Sequence, residues 1–141
     1  LLVVMVMFTA HAFAAAEPEV NKKTIAAFEF TFKDAKEVTW YAEEAYDQVY
    51  FKLNNIKTQI KYDKEGNLLS CFRMYTEENL PLLIRLELKK QYAGKVVKSV
   101  AELTTDKVTE YHMTLEDDKH WYTVKADVYG DLSTLKKFKK S

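Results

Sequence analysis

Four-residue spacing marks two stretches of the chain: Val20, Thr24, Phe28 and Phe32, with Ile25 beside the row, and later Leu80, Ile84, Leu88 and Tyr92. Such spacing aligns side chains along one helix face, so both segments are predicted as amphipathic helices with a single buried stripe. Pro81 suits the first turn of the second helix, where its missing N–H is no loss, and Gly94 suits its exit. After each helix the period falls to two. "KEVTWYAE" alternates Val38, Trp40 and Ala42 against Thr39, Tyr41 and Glu43, and "DQVYFKLN" alternates Val49, Phe51 and Leu53 against Gln48, Tyr50 and Lys52. "IKTQIKYD" sets Ile56, Thr58, Ile60 and Tyr62 against Lys57, Gln59 and Lys61, and "LLSCFRMY" follows as a fourth strand. Period two is the signature of half-buried strands.

The second half replays this order with "KVVKSVAEL", "TEYHMTLED", "WYTVKADVY" and "LSTLKKFK". The turn "KYDKEGNL" (Lys61 to Leu68) returns as "KADVYGDL" (Lys125 to Leu132), keeping Lys, Asp, Gly and Leu in place. Asp63 and Gly66, like Asp127 and Gly130, are therefore structural turn residues: the glycine supplies positive φ between two pairing strands, and Asn67 or Asp131 beside it tolerates the same region. The helix stripes correspond at an offset of 60 and the last turn at 64, which implies about four residues added in the first hairpin of the second copy. The fold class is thus α+β: two tandem helix-plus-four-strand repeats forming an eight-stranded antiparallel sheet with both helices on one face. Repeat 1 spans 20–76 and repeat 2 spans 77–141. One such unit is too small a core to be more than marginal, and joining the sheets removes an exposed edge from each.

Composition narrows the function classes. With 21 Lys plus Arg against 21 Asp plus Glu, the chain has no global field for nucleic acid or an anionic membrane. "LLVVMVMF" followed by the alternating small residues of "TAHAFAAAEPE" reads as a signal peptide over 1–14, truncated at its start; Ala10-His11-Ala12 and Ala12-Phe13-Ala14 both fit a cleavage motif, the second being favoured, and a linker follows over 15–19. The apolar run is shorter than the roughly 20 residues of a membrane span. The expected location is periplasmic or secreted, and the expected state a monomer. One cysteine, Cys71, allows no internal disulfide and reads as a small strand residue.

No catalytic constellation is visible, so no enzyme and no cofactor are expected. Asp63-Lys64-Glu65-Gly66-Asn67 has oxygen at alternate positions, but its glycine is fourth rather than sixth and the second copy puts Tyr129 at the middle ligand, so calcium is not expected. His112 and His120 fall on different strands without a third ligand at metal spacing. Asp117-Asp118-Lys119 and the terminal "KKFKKS" read as a solvated turn and a solvated edge strand.

The order of helix then four strands, with Leu80-Pro81, Tyr92 to Gly94, Lys95 to Val100 and Lys125 to Leu132, resembles the PepSY-like, beta-lactamase-inhibitor-like family of exported bacterial proteins. It departs from that pattern at Phe32-Lys33 and Tyr92-Ala93, where aromatic-Pro is the rule. The resemblance implies two tandem repeats making a helix-backed sheet, no established catalysis, and likeness of shape to a protein that binds an enzyme through its concave sheet.

Parity then selects a candidate face. If Val49, Phe51 and Leu53 turn toward the helix, Tyr46, Gln48, Tyr50 and Lys52 turn away, joined by Tyr41. In the second copy Glu110, His112, Trp121, Thr123 and Lys125 turn away when Tyr111, Met113, Leu115, Tyr122 and Val124 turn inward. Amphipathic aromatics among Lys, Gln and His have the composition of a recognition surface, and equally of cross-strand pairs on a solvated face, each worth roughly 0.2–1 kcal/mol. The predicted function is non-enzymatic binding of an envelope protein or peptide on this face. The alternative is a carrier of a small hydrophobic ligand between sheet and helices, against which uniformly large core residues argue.

Overall fold

The structure, a computed structural model, describes residues 19–141. The signal peptide expected over 1–14, and all but the last residue of the linker, lie outside the described residues. The elements run α1 (Lys22–Thr31), β1 (Lys36–Ala42), β2 (Tyr46–Leu53), β3 (Ile56–Asp63), β4 (Leu68–Tyr75), a 3₁₀ turn (Glu77–Asn79), α2 (Leu82–Gln91), β5 (Val96–Thr105), β6 (Thr109–Glu116), β7 (His120–Ala126) and β8 (Leu132–Lys139). All eight strands form one open antiparallel sheet in the order β1 to β8. Its two halves meet where β4 pairs with β5, without interruption from Ser70↔Thr105 to Tyr75↔Val100. No described helix is long and apolar enough to cross a membrane.

The register shows which face the helices cover. Val49 stands opposite Ile60, Ile60 opposite Cys71 and Cys71 opposite Thr104, while Tyr75, Val100, Met113 and Val124 align two rungs away on the same side. On α1, Thr24 and Phe28 are buried, and Phe28 packs with Val49, Phe51 and Ile60. On α2, Ile84 and Leu88 are buried, and with Leu80 they pack with Val100, Met113, Leu115 and Val124. Each helix caps its own apolar cluster, and both clusters sit on the same side of the sheet. The opposite face has no covering layer among the described residues.

The alternation of β1 fails at its start. Val38, expected on the core side with Trp40, is exposed, because the β1–β2 register shifts between Lys36 and Thr39 and Glu37 takes φ 54°. A bulge of this kind bends an edge strand away from further pairing. Nor is the core uniformly apolar. Asp47 shares the inward parity of Val49 and Phe51 and is fully buried. Its Oδ1 pairs with Lys64 Nζ at 2.7 Å and its Oδ2 accepts from Asn21 N at 3.0 Å, while Asn21 Nδ2 donates to Lys64 O at 2.8 Å. Asn21 also caps α1, its Oδ1 accepting from Lys23 N at 2.8 Å. A buried carboxylate is tolerable when its lone pairs are met in this way, and here the network pins the start of α1 to the β3–β4 turn.

Both Asp-x-x-Gly turns fold alike. Asp63 Oδ1 accepts from Glu65 N and Asn67 N, and Asp127 Oδ1 accepts from Tyr129 N and Asp131 N. Glycine alone takes positive φ, +90° at Gly66 and +85° at Gly130; Asn67 instead donates its amide to Asp63 Oδ2, and the positive-φ asparagines are Asn54 and Asn55 in the β2–β3 hairpin. Each turn touches its helix. A Cβ at Gly66 would meet Thr24 Oγ1 at 3.5 Å, an ordinary contact, whereas one at Gly130 would meet Leu83 Cγ at 3.1 Å. Left-handed strain costs about 1–2 kcal/mol at either site. Gly130→Ala should therefore destabilise more than Gly66→Ala in urea denaturation, and equal losses would show that α2 yields freely.

Titration follows from these contacts. The Tyr122 hydroxyl, then the Lys119 and His120 amides, hold the Asp117 carboxyl well below the usual carboxylate range, and Asn67 lowers Asp63. Burial, with Cys71 adding to it, pushes the Tyr62 hydroxyl up to about 12, and burial also raises Tyr75 and Tyr111. Depressed carboxylates contribute stability above their unfolded values, near 4, and lose it as pH falls through the folded ones. Raised tyrosines contribute below about pH 10 and lose it as pH rises through their folded values. Melting temperature should hold level from about pH 5 to about pH 10 and fall on both sides. A plateau extending unbroken to pH 2 would contradict the carboxylate half of this account.

Candidate functional site

The uncovered face can be read rung by rung from the pairing. Tyr41 lies opposite Gln48 and Thr39 opposite Tyr50; Tyr50 in turn faces Gln59, Gln59 faces Phe72 and Phe72 faces Leu103. Lys52 faces Lys57, His112 faces Lys125 and Trp121 faces Glu116. The eight side chains expected on this face, Tyr41, Tyr46, Gln48, Tyr50, Lys52, His112, Trp121 and Lys125, therefore all project away from the helices.

They do not form one cluster. Five stand on β1 and β2 and three on β6 and β7, and the three strands between separate the groups by roughly 19 Å at 4.8 Å per strand. What bridges them is Gln59, which the alternation already set on the polar side of its strand, and three residues it did not single out: Phe72, Met74 and Leu103. "LLSCFRMY" is apolar on both parities, so alternation could not assign its faces, although Phe72 and Met74 follow once Cys71 is placed opposite Ile60.

Local contacts differ between the groups. In the first, the Tyr41 and Tyr50 rings meet edge to face with centroids 5.6 Å apart, Gln59 Nε2 donates to Gln48 Oε1 at 2.8 Å, and Lys61 Nζ stands 4.8 Å from the Tyr46 ring centre. Tyr41 is 50 % exposed, Tyr50 41 % and Met74 49 %, so large apolar surface is left in water. A hollow of about 300 Å³ opens there, with Tyr50, Lys52, Lys57, Gln59, Phe72 and Met74 in its wall. In the second group Trp121 is half-buried: Phe138 of β8 pairs opposite it and Lys140 Nζ lies 4.8 Å from its ring. Its indole is thus partly occupied by the chain's own C-terminal strand. Glu110 binds Lys125 and, at 3.3 Å, His112 Nε2; these bonds, Lys125 first, lower its carboxyl.

On the helix face, between the two clusters, Arg73 Nη1 pairs with Glu102 at 3.2 Å and the Tyr75 hydroxyl donates to the same carboxylate. A hollow of about 260 Å³ beside this pair is walled by Phe32, Phe51, Leu53, Ile56 and Cys71. Cys71 is half-buried and its thiol is pushed up by burial, the opposite of what a reactive thiolate needs. Among the described residues no group of three His, Cys, Asp or Glu side chains is placed to hold a metal. The Asp63 carboxylate is engaged by its own turn.

No protein-family model matches the chain, and no curated protein matches it. Solved structures do. The chain is similar to a BLIP-like protein from Bacteroides fragilis, at 18 % identity over 89 % of each chain with a TM-score of 0.63. A DUF2874 family protein from Bacteroides uniformis is similar at 16 % identity over 86 % of this chain and 90 % of that one, with a TM-score of 0.62. A third, from Bacteroides eggerthii, whose periplasmic location is itself an inference, is similar at 13 % identity over 86 % and 89 %, also with a TM-score of 0.62. Identities this low establish a shared fold, and the fold is BLIP-like.

Proposed function

We propose that this BLIP-like chain is an exported, non-enzymatic binding module that recognises a protein or peptide of the cell envelope through the open face of its sheet. One observation carries the reading: a sheet with helices on one side leaves Tyr41, Tyr50, Met74 and Leu103 exposed on the other, beside a hollow lined by Phe72. Exposed aromatics arranged contiguously around a depression are what an interface core requires, and scattered ones are not. The B. fragilis neighbour and the B. eggerthii neighbour support an inhibitor-like shape and an envelope address, respectively. The signal peptide over 1–14 and the PepSY-like assignment belong to this proposal too.

The proposal includes an internal duplication, with repeat 1 at 20–76 and repeat 2 at 77–141. Helix and four strands occur twice in the same order, with starts offset by 60 residues at α1/α2 and β1/β5, by 63 at β2/β6 and by 64 at the last two strand pairs. The inserted residues divide as three in the first hairpin and one in the second, a finer split than the sequence offsets suggested. The paired Asp-x-x-Gly turns, each lying on its own helix, support the same reading.

The carrier alternative rests on the 260 Å³ hollow on the helix face. Ligand pockets hold about 300–1,000 Å³ and enclose most of their ligand. A space below that range, with the Arg73–Glu102 pair beside it, favours binding on the open face. Envelope extract from the producing bacterium, passed over the immobilised exported protein, tests the proposal. A stoichiometric partner should be retained; elution of extracted lipid or another small hydrophobic molecule in its place would favour the carrier.

A further inference from the structure

We infer that the partner of the open face presents an acidic segment carrying an apolar anchor, an inference that rests on the binding-face reading above. The carrying observation is one cross-strand row. Lys36, Lys52 and Lys57 stand directly opposite one another on β1, β2 and β3, and the same row continues across β4 and β5 to His112 and Lys125 on β6 and β7. From β1 to β7 it spans roughly 29 Å. No carboxylate occupies any position of the row.

Two reach in from neighbouring positions: Glu37 pairs with Lys52 at 2.7 Å and Glu110 binds Lys125. Lys36 and Lys57 enter no ion pair among the described residues, and neither does Lys61 two rungs further along β3. Like charges directly opposite on adjacent strands destabilise a sheet, and a Thr or Gln at either position would serve the fold better. The repulsion is relieved when carboxylates from outside settle on the row. Lys57 also walls the 300 Å³ hollow beside Phe72 and Met74, where the one carboxylate in the wall, Glu37, is taken up by Lys52, so unpaired positive charge and apolar anchorage fall in one place. Lys57 and Lys61, four residues apart on one strand face, are about 13 Å from each other. Carboxylates four residues apart on an extended segment match that spacing. A nucleic acid or an anionic lipid surface fits less well, because Glu110 and Glu116 stand on the same face and its centre is apolar.

The test uses the isotope-labelled exported protein and three synthetic ten-residue peptides with one central Phe, flanked by Glu, Gln or Lys. The Glu peptide should bind about tenfold more tightly than the Gln peptide at low salt, and the advantage should shrink between roughly 50 and 500 mM salt. Amide shifts should move at Lys57, Gln59 and Met74. Lys36→Glu with Lys57→Glu should abolish the advantage without lowering the melting temperature, because each new carboxylate faces Lys52. Equal binding of the Glu and Gln peptides at these residues would overturn the inference and leave the face reading intact. Shifts confined to α1, α2 or β8 would overturn both. Absence of any peptide binding at millimolar concentration, or equally tight binding of phosphatidylglycerol vesicles or duplex DNA, would overturn the acidic-segment inference. The face reading would then stand or fall by envelope capture.

Discussion

Phe28→Ala is expected to cost about 3–5 kcal/mol of folding stability, the usual range for emptying a buried aromatic site. Phe28 is 2 % exposed and central to an aromatic cluster, with ring centroids 5.2 Å from Phe32, 5.3 Å from Trp40 and 5.0 Å from Phe51. Two of these contacts are edge to face, a geometry worth about 0.5–1.5 kcal/mol beyond burial alone. On α1 only Thr24 is buried with it, and the Thr24 hydroxyl has no hydrogen-bond partner, so between the Asn21–Asp47–Lys64 network at its start and Phe32 at its end, Phe28 is the helix's main apolar hold on the sheet. By contrast α2 is held by Ile84 and Leu88, with Leu80 just ahead of it, over a larger cluster. For a domain of this size the melting temperature should fall by about 10–20 °C. Hydrogen exchange should show protection lost first over α1 and β1 and retained over β5–β7. A fall of under about 1 kcal/mol would show that the α1 contact is not the support described.

Tyr50→Ala combined with Phe72→Ala should weaken partner binding about a hundredfold or more while leaving the melting temperature within a few degrees. Aromatic anchors at interface centres each carry about 2 kcal/mol or more. On the folded monomer the same rings face water on one side, where cross-strand pairs contribute only about 0.2–1 kcal/mol each. Phe72 is the better companion to Tyr50 than Trp121, because the two wall the same hollow whereas Trp121 lies four strands away from β2's neighbour β3 and is overlaid by Lys140. Retained binding in the double variant, measured by calorimetry on the captured partner, would remove the hollow from the account. Loss of folding would show that these rings support the core.

Much of this was legible from local rules. The two Asp-x-x-Gly turns could be read because their hydrogen bonds close within five residues, and strand parity could be read wherever one side of the alternation was polar. The parity of Val49, Phe51, Met113 and Val124 leads directly to the face opposite the helices. Three features depend on contacts distant in sequence. Asp47 had no place in the alternation, since Lys64 and Asn21, which make its burial tolerable, are 17 and 26 residues away. Its inward parity was the one available signal. Phe72 and Met74 sit in a strand apolar on both faces, where alternation is silent. The lysine row exists only once the pairing registers are known, because its members are spread from residue 36 to residue 125. Val38 went the other way: a regular pattern on paper, broken by a bulge that no periodicity announces.

A photo-cross-linking amino acid placed at position 50 and, in a separate variant, at position 30 tests the open-face claim most directly. Tyr50 is on the uncovered face, and Phe30 is 78 % exposed on α1, across the sheet from it. Irradiated in the intact envelope, the protein should form one discrete cross-linked species from position 50 and none from position 30. Cross-linking from position 30 with none from position 50 would put the partner on the helix face and contradict the account.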